Sequence, residues 1–189
     1  MPPETAAVHY TIDPTKSRFT VRAFAGGLLS GFGHNPVIGI RDFSGEVNFA
    51  PEAITEASVG ISITADSLEV QNDVSDKDRA EITRTMKEQV LEAGRYPAIA
   101  FESRQVSGMK LGDALYVLKL EGDLFLHGVT KRQRISAQVV PGENSVRAYG
   151  EFTVKQTEFN IKLVSVAGGT LKVKDELKLS FDITAGKDP

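Results

Sequence analysis

Cysteine and tryptophan are both absent from this 189-residue chain. Without cysteine there can be no disulfide, zinc-thiolate site or thiol nucleophile. Without tryptophan, any aromatic surface must come from ten phenylalanines and four tyrosines. No run approaches the roughly 18–20 consecutive apolar residues of a membrane-spanning helix. There is no basic block either. The 22 basic and 25 acidic side chains are dispersed and sum to −3, which argues against nucleic acid as a partner. The opening MPPETAAVHY lacks the charged-then-apolar form of a secretory leader, and residues 1–8 read as a flexible tail. The length suits one domain with a sizeable core, and no repeat or linker divides residues 1–189.

What the chain has in abundance is alternation with a period of two, the mark of half-buried strands. SRFTVRAF puts Phe19 and Val21 on one face, and FSGEVNF does the same with Phe43, Val47 and Phe49. The pattern continues in SVGISIT, AIAFES and ALYVLKLEGDLFLHG, then in RISAQVV, VRAYGEFTV and ELKLSFDIT. Turn signals stand near Pro51, at Ser107-Gly108, at Gly112-Asp113, at Pro141-Gly142 and at Gly168-Gly169. About eight strands so spaced predict an all-β fold, a sandwich or an antiparallel barrel.

One segment breaks the rhythm. Between residues 76 and 93, Ile82, Met86, Val90 and Ala93 recur at helical spacing, with Leu91 flanking the stripe. Ser75 or Asp76 suits the N-cap and Gly94 the stop. This predicts one α-helix laid on the end or side of the sheet. Its stripe reads as packing, not a cofactor box.

The inward positions are almost wholly Phe, Val, Ile and Leu, which makes either a solid core or a cavity for an apolar ligand. Parity selects as lining Phe19, Val21, Val47, Phe49, Ile61, Ile63, Ile99, Phe101, Leu118, Leu120, Phe152, Leu179 and Phe181. A bulge would shift the phase of any one strand.

Motifs of chemistry are scarce. In SGFGHNPVIGI, Gly31 and Gly33 begin a dinucleotide pattern, but Pro36 occupies the third glycine's place and no βαβ unit follows. The stretch reads as a bend in which backbone groups satisfy His34. The alternative is a portal, with Leu28, Leu29 and Phe32 at the rim and His34 bonding a head group. His127 falls on the face opposite Leu124 and Leu126 and reads as half-exposed, while His9 lies in a frayed terminus. The three histidines lack metal-binding spacing, and Asp73, Asp76 and Asp78 lack a calcium-loop ending. No G-x-S-x-G elbow occurs. No catalytic or metal-ligating residue is assigned.

Several segments in order carry a family resemblance: YTIDPTKSRFTVR, DFSGEVNFAPE, GRYPAIAFES, GDLFLHGVTK, EFTVKQTEFNIK and VKDELKLSFDI. From about Tyr10 to Ile183 the chain resembles the YceI-like family of lipocalin-like polyisoprenoid-binding proteins. The most distinctive parts are Tyr96-Pro97-x-Ile99-x-Phe101 and Gly122 to Lys131. Ala23 stands where the family commonly has histidine, and SDKDRAEI replaces its R-D-x-H-L stretch, which marks a divergent member. The resemblance implies an extended barrel with a packed helix. It also implies a tunnel for the isoprenoid tail of a quinone-like or polyprenyl lipid, bound without a covalent cofactor. A periplasmic setting follows if a leader precedes this chain, and a cytoplasmic one otherwise. Two rivals remain: an enzyme or metal site at the barrel mouth near His34 and His127, and a solid-cored protein acting through its surface or as a homodimer. The enzyme reading predicts the imidazoles of His34 and His127 within metal-sharing distance of each other or of a carboxylate. No metal on elemental analysis and an unchanged ligand content in His34→Ala weigh against it.

Overall fold

A computed structural model describes residues 7–26, 35–166 and 171–188. The strands are β1 (Val8–Ile12), β2 (Arg18–Arg22), β3 (Ala25–Gly26), β4 (Val37–Ile40), β5 (Phe43–Phe49), β6 (Ser58–Thr64) and β7 (Leu68–Val70). After the helix α1 (Asp76–Thr85) come β8 (Ala98–Lys110), β9 (Tyr116–Leu126), β10 (Val129–Pro141), β11 (Ser145–Lys155), β12 (Ser165–Val166), β13 (Leu171–Val173) and β14 (Glu176–Lys187).

Eleven of these strands form one sheet, but they make eight staves. β1 and β2 follow one another along the same edge of β14, broken where Asp13 and Pro14 turn the chain. There the Asp13 carboxylate accepts from the Thr15 amide at 2.9 Å, an Asx turn that ends the ladder. β4 and β5 likewise succeed one another beside β2 and β1, as β7 and β6 do beside β4 and β5. The circuit closes where β1 pairs with β14, Tyr10 opposite Lys187 and Ile12 opposite Ala185. The result is a closed, eight-stranded antiparallel barrel, the all-β fold expected. β3, β12 and β13 form a small separate sheet.

Two expectations need correction. Ser107-Gly108 is no turn: β8 runs straight through it, with Gly108 opposite Leu118. The irregularity lies nearby, at a bulge between Ser103 and Gln105 that leaves Arg104 unpaired and sets the phase for Val106. His9 is not in a frayed end, because it pairs with Asn48 in the ladder and its Nδ1 lies 3.0 Å from Asn48 Oδ1. Strand pairing begins one residue earlier, at Val8, inside the stretch expected as a tail.

The helix begins as expected. Ser75 Oγ accepts from the Asp78 amide at 3.1 Å, and Asp76 and Asp78 complement the positive end of the helix dipole. Its end differs. Met86–Val90 widen into a π-helical turn, with the Leu91 amide bonded to the Met86 carbonyl at 2.8 Å. The extra residue turns Leu91 inward, and Glu92, not Gly94, takes the left-handed conformation that stops the helix.

On the outer wall, Arg147 grips Asp182 with two bonds, Nε to Oδ1 at 2.8 Å and Nη2 to Oδ2 at 2.6 Å. The hydrogen bond from Arg147, more than its charge, lowers the Asp182 carboxyl below the usual range. A lowered carboxyl stabilises the fold above its unfolded value of ~3.9, and the effect is lost on acidification. The pair is exposed, so Asp182→Asn should cost at most ~1 kcal/mol in urea unfolding at pH 7. That loss should shrink towards zero as the pH approaches 2.

Candidate functional site

The inward faces of the eight staves enclose a cavity of about 200 Å³ along the barrel. Every inward residue selected by parity, from Phe19 to Phe181, borders it. Its wall is nearly all hydrocarbon. The polar residues at its margin are Thr20, Asn48, Ser58 and Ser180, of which Asn48 donates to Ser58 at 2.9 Å. Many side chains that point inward, including Phe19, Val21, Val47, Phe152, Leu179 and Phe181, are only partly buried. In a filled core such residues would be sealed by their neighbours. Here they line space.

Aromatic rings form much of the wall. Phe19 meets Phe43 edge to face at 4.9 Å, and Phe152 lies 6.4 Å from Phe181. Phe101 pairs with Leu124 on β9, and its ring reaches over the diagonal Gly122, where a Cβ would come within 2.5 Å of the ring's Cζ. The glycine thus keeps a bulky ring out of the lumen. One end of the barrel is stopped by Phe49 and Tyr116, edge to face at 5.5 Å and nearly inaccessible to solvent.

Among the described residues, three segments close the other end: the π turn with Val90 and Leu91, the end of β9 at Leu126, and Ile161 after a 3-10 turn at Gln156–Phe159. None of Val90, Leu91 or Ile161 was selected as lining from the sequence. Val90 and Leu91 were read as helix packing, and Ile161 lies outside any alternating run. Ile40 and Leu68 also border the cavity, from strands too short to show a period.

His127 is the main correction. It is 8% exposed, not half-exposed. Alternation stops at Leu126 because His127 and Gly128 form a two-residue hairpin turn with φ of 53° and 73°, the type I′ geometry. The ring therefore points back against the barrel end. Nδ1 bonds the Phe159 carbonyl at 3.0 Å, Nε2 lies 2.6 Å from Glu92 Oε2, and the Tyr96 ring covers the imidazole at 4.4 Å. A Cβ on Gly128 would strike Tyr96, so the turn needs glycine for both space and φ. Leu28, Leu29, Phe32 and His34, the expected portal, lie outside the described residues. Among the described residues no group of three His, Cys, Asp or Glu is placed to hold a metal ion, and no helix is long and apolar enough to cross a membrane.

A closed eight-stranded barrel around an apolar lumen, with a helix across one end, defines a lipocalin-like class. A profile of the YceI-like domain matches residues 10–185, and the chain belongs to that family. A search of curated proteins found no match. Among solved structures, Burkholderia cenocepacia BcnA is similar at 19% identity and a TM-score of 0.69, covering 92% of this chain and 99% of its own. A polyisoprenoid binding domain from Saccharophagus degradans, implicated in plant cell wall breakdown, gives 13% and 0.70, covering 96% and 99%. The Campylobacter jejuni YCEI protein gives 18% and 0.59, covering 80% and 85%. At such identities these likenesses speak to the fold.

Replacing Gly122 with alanine should push Phe101 towards the axis and strain β9 against the Glu102 carbonyl. Overpacking of this kind costs ~1–3 kcal/mol. Urea unfolding should show that loss, and uptake of an apolar fluorophore should fall. Unchanged uptake would mean the glycine does not set the bore.

Proposed function

We propose that the barrel holds the hydrocarbon tail of an isoprenoid-type lipid, quinone-like or polyprenyl, and serves as a carrier or sequestering module without catalysis. The observation that carries this reading is the apolar lumen itself, with inward side chains left partly uncovered around about 200 Å³. An engineered apolar cavity of ~150 Å³ stays dry and takes up benzene, so a hollow of this size suits a ring or a short stretch of chain. An unfilled hole is also a standing loss of stability. At ~24 cal/mol per Å³ it is on the order of 5 kcal/mol, which an occupant would restore.

Binding needs no directional contact. Burial is worth ~0.8 kcal/mol per methylene, or roughly 3–4 kcal/mol gross for a five-carbon prenyl unit. Ordering and association costs come off that figure. Beyond the first unit or so, a tail must rotate wall side chains aside, so each further unit gains less. Selectivity then follows the length and bore of the lumen. The partly buried phenylalanines are the side chains with room to move. Membership of the YceI-like family supports a binding role, and the polyisoprenoid-binding neighbour supports the choice of lipid class.

Organic extraction of the purified protein followed by mass spectrometry should release a prenyl-type lipid. Filling the lumen with Ala148→Phe should abolish that yield while circular dichroism stays that of a β-barrel. A lipid-free protein that also refuses a prenyl probe would sink the reading.

A further inference from the structure

The three segments that close the helix-side end of the cavity among the described residues share one arrangement. Leu91, Leu126 and Ile161 border the cavity, and directly beside them in the chain stand Glu92, His127 and Asn160. These three have φ of 45°, 53° and 57°, and among the described residues they are the non-glycine positions with positive φ. Such conformations persist only where the surroundings hold them, and here all three border one closure.

A single imidazole ties the segments together. His127 Nε2 reaches Glu92 on the helix side, and Nδ1 reaches the carbonyl of Phe159, the residue before Asn160. A carbonyl only accepts, so Nδ1 carries a hydrogen. Nε2 then either donates to a carboxylate or accepts from a carboxylic acid. The choice of residue is itself informative. A type I′ turn by itself favours asparagine before glycine, and histidine here reaches two partners that asparagine could not span.

We propose that this imidazole knot is the gate through which the ligand enters and leaves. The inference rests on the lipid-binding reading above. The opposite end is stopped by Phe49 and Tyr116, and the staves between are joined by backbone ladders, the shortest being that of β10 with β11, which covers only Gln138–Pro141 against Val146–Tyr149. At the knot, by contrast, side chains do the holding: the two His127 bonds, the Tyr96 ring over the imidazole and the Lys87–Asp66 pair at 3.4 Å keep the helix corner in place. Glu92 is the half free to move: its side chain is 38% exposed against 7% for His127. Turning that carboxylate into water releases the corner, lets residue 92 leave its left-handed conformation, and draws Leu91 off the cavity.

Stopped-flow mixing with a dansyl-labelled farnesyl probe tests this in four proteins: wild type, His127→Asn, Glu92→Ala and Glu92→Gln. Asparagine keeps the turn and loses the reach. Glutamine keeps a bond, since its amide can donate to neutral Nε2. His127→Asn and Glu92→Ala should raise the association and dissociation rate constants together, each by about tenfold, with affinity within about threefold, as a gate lowers one barrier from both sides. Glu92→Gln should stay near wild type. Unchanged kinetics in the first two variants overturn the gate. So does a loss of affinity carried by dissociation alone, which would make the knot a ligand contact. If His127→Asn does not fold, Glu92→Ala against Glu92→Gln decides. Wild type that takes up no probe overturns the lipid-binding reading, whereas normal uptake with unaltered variants overturns only the gate.

Discussion

The pairing of β1 with β14 is the contact on which everything inside the molecule depends. An open sheet of the same strands would have two unpaired edges and would bare its apolar face to water. Closing the ladder pairs β1 on both sides, leaves the short β7 at the rim with a single partner, and turns the inward side chains towards a common axis. The chain reaches this closure with broken staves: the Asp13–Pro14 turn, the Arg41–Asp42 step and the 3-10 turn at Ala65–Ser67 let single segments bend around the barrel. Eight staves set a radius that side chains can nearly fill.

Whether they do fill it depends on where bulk is placed. Phe19, Phe43, Phe152 and Phe181 pack along the wall against one another, and Phe101 lies over a glycine. Rings spread along the wall leave the axis clear, where the same atoms pointed inward would close it. Polar groups at the margin are few and Asn48 bonds Ser58, so the lumen offers little beyond dispersion and dehydration. Such a site discriminates by shape.

The regular pattern breaks where the barrel ends. The helix gains a π turn, a hairpin uses histidine where asparagine is usual, and three non-glycine residues adopt left-handed backbone around one closure. The wall is built from repetition and the closure from exceptions. Such left-handed positions persist only where the surrounding structure holds them.

Much of the barrel was legible in the chain. Period-two alternation shows which face of Phe19-Val21, Ile61-Ile63 or Leu118-Leu120 turns inward, because successive side chains of a strand point to opposite sides whatever they pack against. The Ser75 cap and the helical stripe were equally plain, being local. The turn assigned at Ser107-Gly108 failed because a glycine that fits a turn also fits beneath Leu118 on the next strand. His127 was misplaced because parity says nothing once the chain reverses. Amino-acid order alone thus determined strand, face and apolar character, all properties of neighbours in the chain. The hollow and its closure were decided only by tertiary structure. Whether a ring lies along a wall or across a lumen depends on what stands opposite it, and Glu92, His127 and Phe159 meet only when three distant segments fold together.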